Sequence, residues 1–286
     1  MDQIIIFGLH GLTYAGLLFL IASGLTMVFG MMRILNFAHA SFYMLGAYLS
    51  YTLFLKTGFF WTCLIVSPAI LFLIGVLVER FLIRKVHSLG MVYDLLLTFG
   101  LGYVLGEIVK WIWGTMPLSV KLEGFLAGSL TLIGITYPIY RLFILLMALV
   151  IGVILASILF KTTLGIIIRA AVDDSDMCNA LGINIPLIFG GVFGFGAALA
   201  GFAGVMAGPL LTISTDMANM VLLDAFVVVI VGGLSSLGGA VLASLIIGQL
   251  QSFGALLIPQ VSMVLIYVLM ALVLIFKPSG LLGRNE

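Results

Sequence analysis

Apolar residues run along this chain in blocks of about 20, the length an α-helix needs to cross the hydrocarbon core of a bilayer, and short polar knots separate the blocks. No Asp, Glu, Lys or Arg occurs between Asp2 and Arg33, between Arg33 and Lys56, between Lys56 and Glu79, or between Arg141 and Lys161. The stretch from Asp224 to Lys277 is also free of charge and long enough for two crossings, punctuated by GGLSSLGG and Pro259. The pattern predicts spans over 4–29, 37–55, 59–82, 91–113, 139–160, 186–207, 237–255 and 261–276. A ninth apolar stretch, 220–231, is short for a full crossing. With the flexible 232–239 after it, it reads as a broken or re-entrant helix near 220–239. Lipid offers backbone groups no hydrogen-bond partners, so the spans are helices and any break must be buried in protein or line a cavity. The expected fold is all-α: one polytopic transmembrane bundle of eight to nine spans over residues 1–286, with a single long polar loop at 161–185.

Composition closes off the alternatives. Hydrophobic residues make up 63% and charged residues 8% of the chain. A soluble domain carries about 25% charge, so this chain could not clothe a soluble surface. A net charge of +1 provides no basic field for nucleic acid. Two cysteines, Cys63 and Cys178, build neither a disulfide framework nor a zinc site. The opening MDQIIIF lacks a basic n-region and reads as a retained span rather than a cleaved signal. Arg80, Arg84 and Lys85 form the densest basic cluster, which the positive-inside rule places in the cytoplasm. Alternation then puts Arg33, Lys161 and Arg169 inside and Lys56, Lys121 and Arg141 outside. The N-terminus is expected outside, and Lys277 and Arg284 inside if 220–231 crosses. Trp61, Trp111 and Trp113 fall at outer span ends, where an aromatic belt is expected.

The segment KTTLGIIIRAAVDDSDMCNALGINIP, 161–186, is too polar to span. Thr163 is placed to cap a short helix over 165–172, and Asp174 or Ser175 a second that ends at Gly182. Two short helices at the inner face either close off the bundle or offer a soluble partner a grip. No GxxxxGK[ST] motif occurs, so the chain carries no phosphate cradle of that kind.

GIIIRAAVDDSDMCNALGI resembles the coupling-loop pattern of bacterial ABC importer permeases, with Gly165, Arg169, Ala170, Ala180, Gly182 and Ile183 in place. More narrowly, the chain resembles the branched-chain amino-acid (LivH-type) permeases. GLTYAGLLFLIASGLTMVFGMMRILNFAHASFYMLGAYLSY, ALAGFAGVMAGPL, VVIVGGLSSLGGAVLASLIIGQL and KPSGLLGR carry the likeness along nearly the whole length. Ala40, Ser235 and Asp224 depart from the pattern at positions that bear on the pathway. The resemblance implies a non-catalytic permease subunit of an inner-membrane ATP-binding-cassette importer. It would pair with a second homologous permease, receive solute from a periplasmic binding protein and dock two ATPase subunits. ATP and Mg would sit on those ATPases, with no cofactor or metal in this chain. Cargo would be leucine, isoleucine, valine or a related small solute. The other reading is a self-sufficient channel or ion-coupled carrier for urea, an amide or a small organic acid.

On this reading the ATPase-docking candidates are Gly165, Arg169, Ala170, Asp173, Asp174, Ala180 and Gly182. Pathway or gate candidates are Asn36 and His39, which flank Phe37 in a polar break before the second span. Asp94 and Thr98 share a face of the fourth span, and Gly232, Gly233, Ser235 and Ser236 form the later break. Asn36 has a structural alternative as a helix cap. Small residues at Gly190, Gly194, Ala240, Ser244 and Gly248 let backbones approach closely, either within the chain or against a partner permease. Glu107 and Lys110, at i,i+3, are expected to pair near the outer end. The outward loop 114–138, with Lys121 and Glu123, is the expected landing surface for a binding protein.

Overall fold

The computed structural model describes residues 2–122, 124–132 and 135–283. Glu123 and Arg284 lie outside the described residues, as does the Asp173 side chain. Helix α1 (Asp2–Met32) ends where Arg33 takes a left-handed φ of 54°, and residues 33–38 break the helical path before α2 (His39–Thr57). Gly58, with φ 66°, closes α2 by donating its N–H to Phe54 O. Helix α3 (Phe60–Val78) continues through a π-turn (Glu79–Ile83) and one further turn (Arg84–Val86). Then come α4 (Met91–Trp113), an antiparallel hairpin of β1 (Ser129–Leu132) and β2 (Ile135–Pro138), and α5 (Ile139–Lys161). The short helices α6 (Thr163–Asp173) and α7 (Ser175–Ala180) lead into α8 (Ile185–Ala207). Helices α9 (Met217–Gly232), α10 (Leu237–Leu257) and α11 (Ser262–Phe276) complete the chain.

The architecture is mostly helical, with one small hairpin that the all-α expectation lacked. Among the described residues, six helices are long and apolar enough to cross a membrane: α1, the extended α3, α4, α5, α8 and α10. The sequence pattern predicts eight or nine spans, and the remaining helices fall short of that length or apolarity. α2 carries His39, Ser41, Ser50 and Lys56, and α9 and the apolar part of α11 are short. Near 220–239 the chain forms two ordinary helices joined by Gly233–Ser236, with Gly233 at φ 104°.

Helix α8 is the centre of the bundle and packs along α1, α2 and α3. Without a hydrophobic drive between helices in lipid, close backbone approach supplies the stabilisation. A methyl on Gly204 would sit 1.9 Å from Tyr43 O, and one on Gly46 would sit 2.2 Å from Gly201 O. α10 grips α1 similarly. Ser252 Oγ donates to Phe7 O at 2.6 Å, Gln249 Nε2 to Gly8 O at 3.0 Å, and Gly248 abuts Gly11.

Two contacts identify the ends of the bundle. Arg84 donates to Pro186 O, joining the end of α3 to the start of α8 and to the α6–α7 loop. Trp113 Nε1 donates to Thr52 Oγ1, joining the far ends of α4 and α2. Arg80, Arg84, Lys85, Lys161 and Arg169 therefore gather at one end, called the basic end below, while Lys56, Lys110 and Arg141 lie at the other.

Candidate functional site

The α6–α7 loop is built by local capping. Thr162 Oγ1 accepts from Gly165 N at 3.3 Å, and Asp174 Oδ1 accepts from Met177 N at 2.8 Å. The first cap is one residue before the expected Thr163; the second is one of the two expected. Gly182 turns the chain with φ 86°. Gly165 lets α6 fold against the end of α5, where a methyl would meet Leu159 O at 2.1 Å. The Arg169 guanidinium folds back to donate to Leu159 O and lies 5.9 Å over the Phe160 ring. Gly165, Arg169, Asp174 and Gly182 thus shape the loop, while Ala170 and Ala180 lie on its exposed surface. Ala171, Cys178 and Ile185 pack together beneath it. Its surface also carries Ile166, Met177 and Leu181, exposed at 60%, 59% and 72%.

A cavity of about 150 Å³ opens between α2, α4 and α9. Glu107, Lys110, Thr215, Asp216 and Asn219 surround its mouth, at the end away from the basic cluster. Lys110 Nζ donates to Glu107 Oε1 at 2.7 Å, the expected pair, with both side chains open to solvent. Ala40, Ser41, Met44, Gly102 and Leu222 line its walls. Phe37 and Phe99 form its floor, edge to face at 6.1 Å and 73°. Phe37 also packs on Phe226, one turn beyond Leu222, with centroids 4.9 Å apart. The mouth adjoins the loop before the hairpin, because Leu118 and Ile213 exchange backbone hydrogen bonds of 2.9 Å just ahead of Thr215.

None of the expected pathway residues lines this cavity. Thr98, fully buried, accepts from Phe37 N at 3.2 Å and stands 3.1 Å from Leu35 O, so it clasps the break between α1 and α2. His39 Nε2 bonds Ile21 O at 2.9 Å and pins α2 to α1. Asn36 is buried but is not a side-chain cap: the α2 N-cap is Ala38, already in helical conformation, and Asn36 Oδ1 has no partner among the described residues. Asp94, buried in the first turn of α4, pairs with His87 Nδ1 at 2.6 Å. Ser236 caps α10 through Gly239 N at 3.0 Å, and Ser235 lies against Gly30. Gly232 abuts Gly239, and Gly233 abuts Gly283 of the C-terminal tail, whose Leu281 and Leu282 amides bond Val231 O and Gly232 O.

The small residues considered for a permease seam meet the chain itself. Gly190 lies against Glu79, Gly194 against α3, and Gly248 against α1. Ala240 and Ser244 are buried. Among the described residues no group of His, Cys, Asp and Glu is placed to hold a metal ion.

The family model described as "branched-chain amino acid transport system / permease component" matches residues 8–274. The chain belongs to the branched-chain amino acid transport permease family. This permease is similar to the high-affinity branched-chain amino acid transport system permease protein BraD of Pseudomonas aeruginosa. The two are 30% identical over 97% of this chain and 95% of that protein. It is 28% identical to the LivH permease protein of Salmonella typhimurium over 97% of this chain and 94% of that one. To the LivM permease protein of the same bacterium it is 27% identical, over 92% of this chain and 67% of that protein. No solved structure matches the permease.

Sequence reasoning noticed Glu107 and Lys110 as a pair but missed Asp216, Asn219 and the Phe37–Phe99–Phe226 floor. The local signals were slight: one acid just ahead of an apolar helix, and three phenylalanines among many.

Proposed function

We propose that this chain is one of two permease subunits of an ATP-driven importer for branched-chain or other small apolar amino acids, working in a bacterial inner membrane. A second homologous permease completes the membrane core. The likeness of this chain to two permease proteins of one bacterium, named LivH and LivM, supports such a pair. The chain performs no chemistry of its own. ATP and Mg belong to two ATPase subunits, and a solute-binding protein delivers cargo to the loop around Lys121 and the hairpin. On this reading α2, α9 and α11 also cross, which makes nine crossings. The N-terminus is outside and the basic end faces the cytoplasm.

One observation carries the ATP-driven part of the reading. The α6–α7 loop is too polar to cross a membrane, yet it exposes Ile166, Met177 and Leu181 at the basic end. Apolar side chains held out on a capped, well-packed loop suit a protein partner. Around them Ala170, Asp174 and Ala180 complete the docking surface. Movement of that loop passes directly into α8, the helix at the centre of the bundle.

The test is co-purification of the ATPase subunits with the wild-type permease and with Ala170→Glu and Met177→Glu. Both substitutions lie on the loop surface, so the bundle stays folded. Loss of the ATPases from the substituted proteins is expected; their full retention, with uptake unchanged, overturns the docking assignment.

A further inference from the structure

We propose that the cavity between α2, α4 and α9 is the solute path on this chain's side of the transporter, and that the Phe37 ring is the gate at its floor. The proposal rests on the amino-acid permease reading above and names the residues that carry it out. The mouth presents both signs of charge a zwitterion needs. Lys110 suits a carboxylate, while Glu107 and Asp216 suit an ammonium group. Because Lys110 and Glu107 are solvent-exposed, their ion pair is worth little and exchanges readily for the charges of a solute. Below the mouth the lining turns apolar, and a cavity of about 150 Å³ takes a group about the size of benzene. A branched alkyl side chain pointing toward the floor fits that space.

The floor lies at membrane depth. At 1.5 Å per residue along α4, Phe99 lies about 16 Å from Lys110 and about 12 Å from Met91. Between Phe99 and the basic end the path is shut by Phe37, wedged between Phe99 of α4 and Phe226 of α9. Phe37 stands on the non-helical 33–38 segment, and broken backbone at membrane depth occurs where it is protein-buried or lines a cavity. Here it does both: Ile34, Asn36 and Ala38 are buried, and Phe37 faces the cavity. The helical path of α1 ends at Arg33, in its left-handed conformation, and Thr98 acts as a positioning residue that holds Phe37 in the closed place. A shift of α4 against α2 moves this clasp and the ring together.

The experiment uses the complete transporter in proteoliposomes, with Cys63 and Cys178 replaced by alanine and a single cysteine introduced as Leu222→Cys in the cavity wall. A membrane-impermeant maleimide is applied separately from the mouth side and from the basic-end side. Without nucleotide, labelling is expected from the mouth side alone; adding Phe37→Ala opens labelling from the basic-end side as well. Phe37→Ala also raises ATP-independent leucine leak about tenfold, equivalent to removing roughly 1.4 kcal/mol of barrier, while Phe37→Tyr restores the seal. Lys110→Ala raises the leucine KM without opening the leak. Basic-side labelling with Phe37 intact, or a Phe37→Ala protein that remains closed to both maleimide and leucine, overturns the gate. If the wild-type transporter takes up no leucine while Phe37→Ala still opens basic-side labelling, the cargo reading fails and the gate stands.

Discussion

Glu79 and Arg84 face each other across the π-turn of α3. Arg84 Nε and one terminal nitrogen donate to the two carboxylate oxygens at 3.1 and 2.5 Å, and the same terminal nitrogen donates to Pro186 O at 2.6 Å. Three points are thereby tied together: the turn itself, the basic end of α3, and the start of α8 just past the α6–α7 loop. Glu79 is 2% exposed, and both its carboxylate oxygens accept from Arg84. Breaking a buried pair costs about 3–5 kcal/mol, and the 38% exposure of Arg84 reduces that to about 1–3 kcal/mol here. Arg84→Ala is expected to lower thermal stability in detergent by that amount. Combining it with Glu79→Gln should cost less than the sum of the two single changes, because the second removes the stranded carboxylate. Additive losses would contradict the pairing.

Two glycines on α8 should respond differently to alanine. Gly204→Ala drives a methyl into Tyr43 O, and neither helix backbone can yield, so a loss of about 1–3 kcal/mol is expected. At Gly191 nothing lies within 4 Å, and alanine there is expected to be neutral or to stabilise by up to about 1 kcal/mol through helix propensity. Paired melting curves in one detergent decide the matter, and equal shifts would count against close packing of α2 on α8.

Thr98 offers a subtler test. Valine copies its shape but leaves Phe37 N–H and Leu35 O without the hydroxyl, at a cost of about 1–3 kcal/mol. Thr98→Val is expected to loosen the 33–38 break and to raise passive leucine leak, less than Phe37→Ala does, whereas Thr98→Ser keeps both stability and seal. The readout is leucine efflux from preloaded vesicles without ATP.

How much of this was legible in the sequence depends on the range of the forces involved. The α6–α7 loop was readable almost to the residue, because capping at Asp174 and the turn at Gly182 are decided by neighbours a few positions away. The stripe of Ala240, Ser244 and Gly248 is readable as a close-packing face, but sequence spacing carries no information on which helices it meets: Gly248 meets α1, and Ala240 lies beside Gly232 of α9. The sequence offers Asn36 as a cap, yet Ala38 enters α2 already helical and no side chain caps the helix. The cavity was not legible. Phe37, Phe99 and Phe226 come from three distant parts of the chain, and only the packed bundle brings their rings together.

Solute flux through reconstituted vesicles tests the central claim most directly. Radiolabelled leucine uptake is measured with this permease alone, and then with its partner permease, ATPases, binding protein and ATP all present. The account predicts no uptake in the first case and ATP-dependent accumulation in the second. Leucine flux through the chain alone, indifferent to ATP and to every partner, would contradict it and point to a self-sufficient channel or carrier.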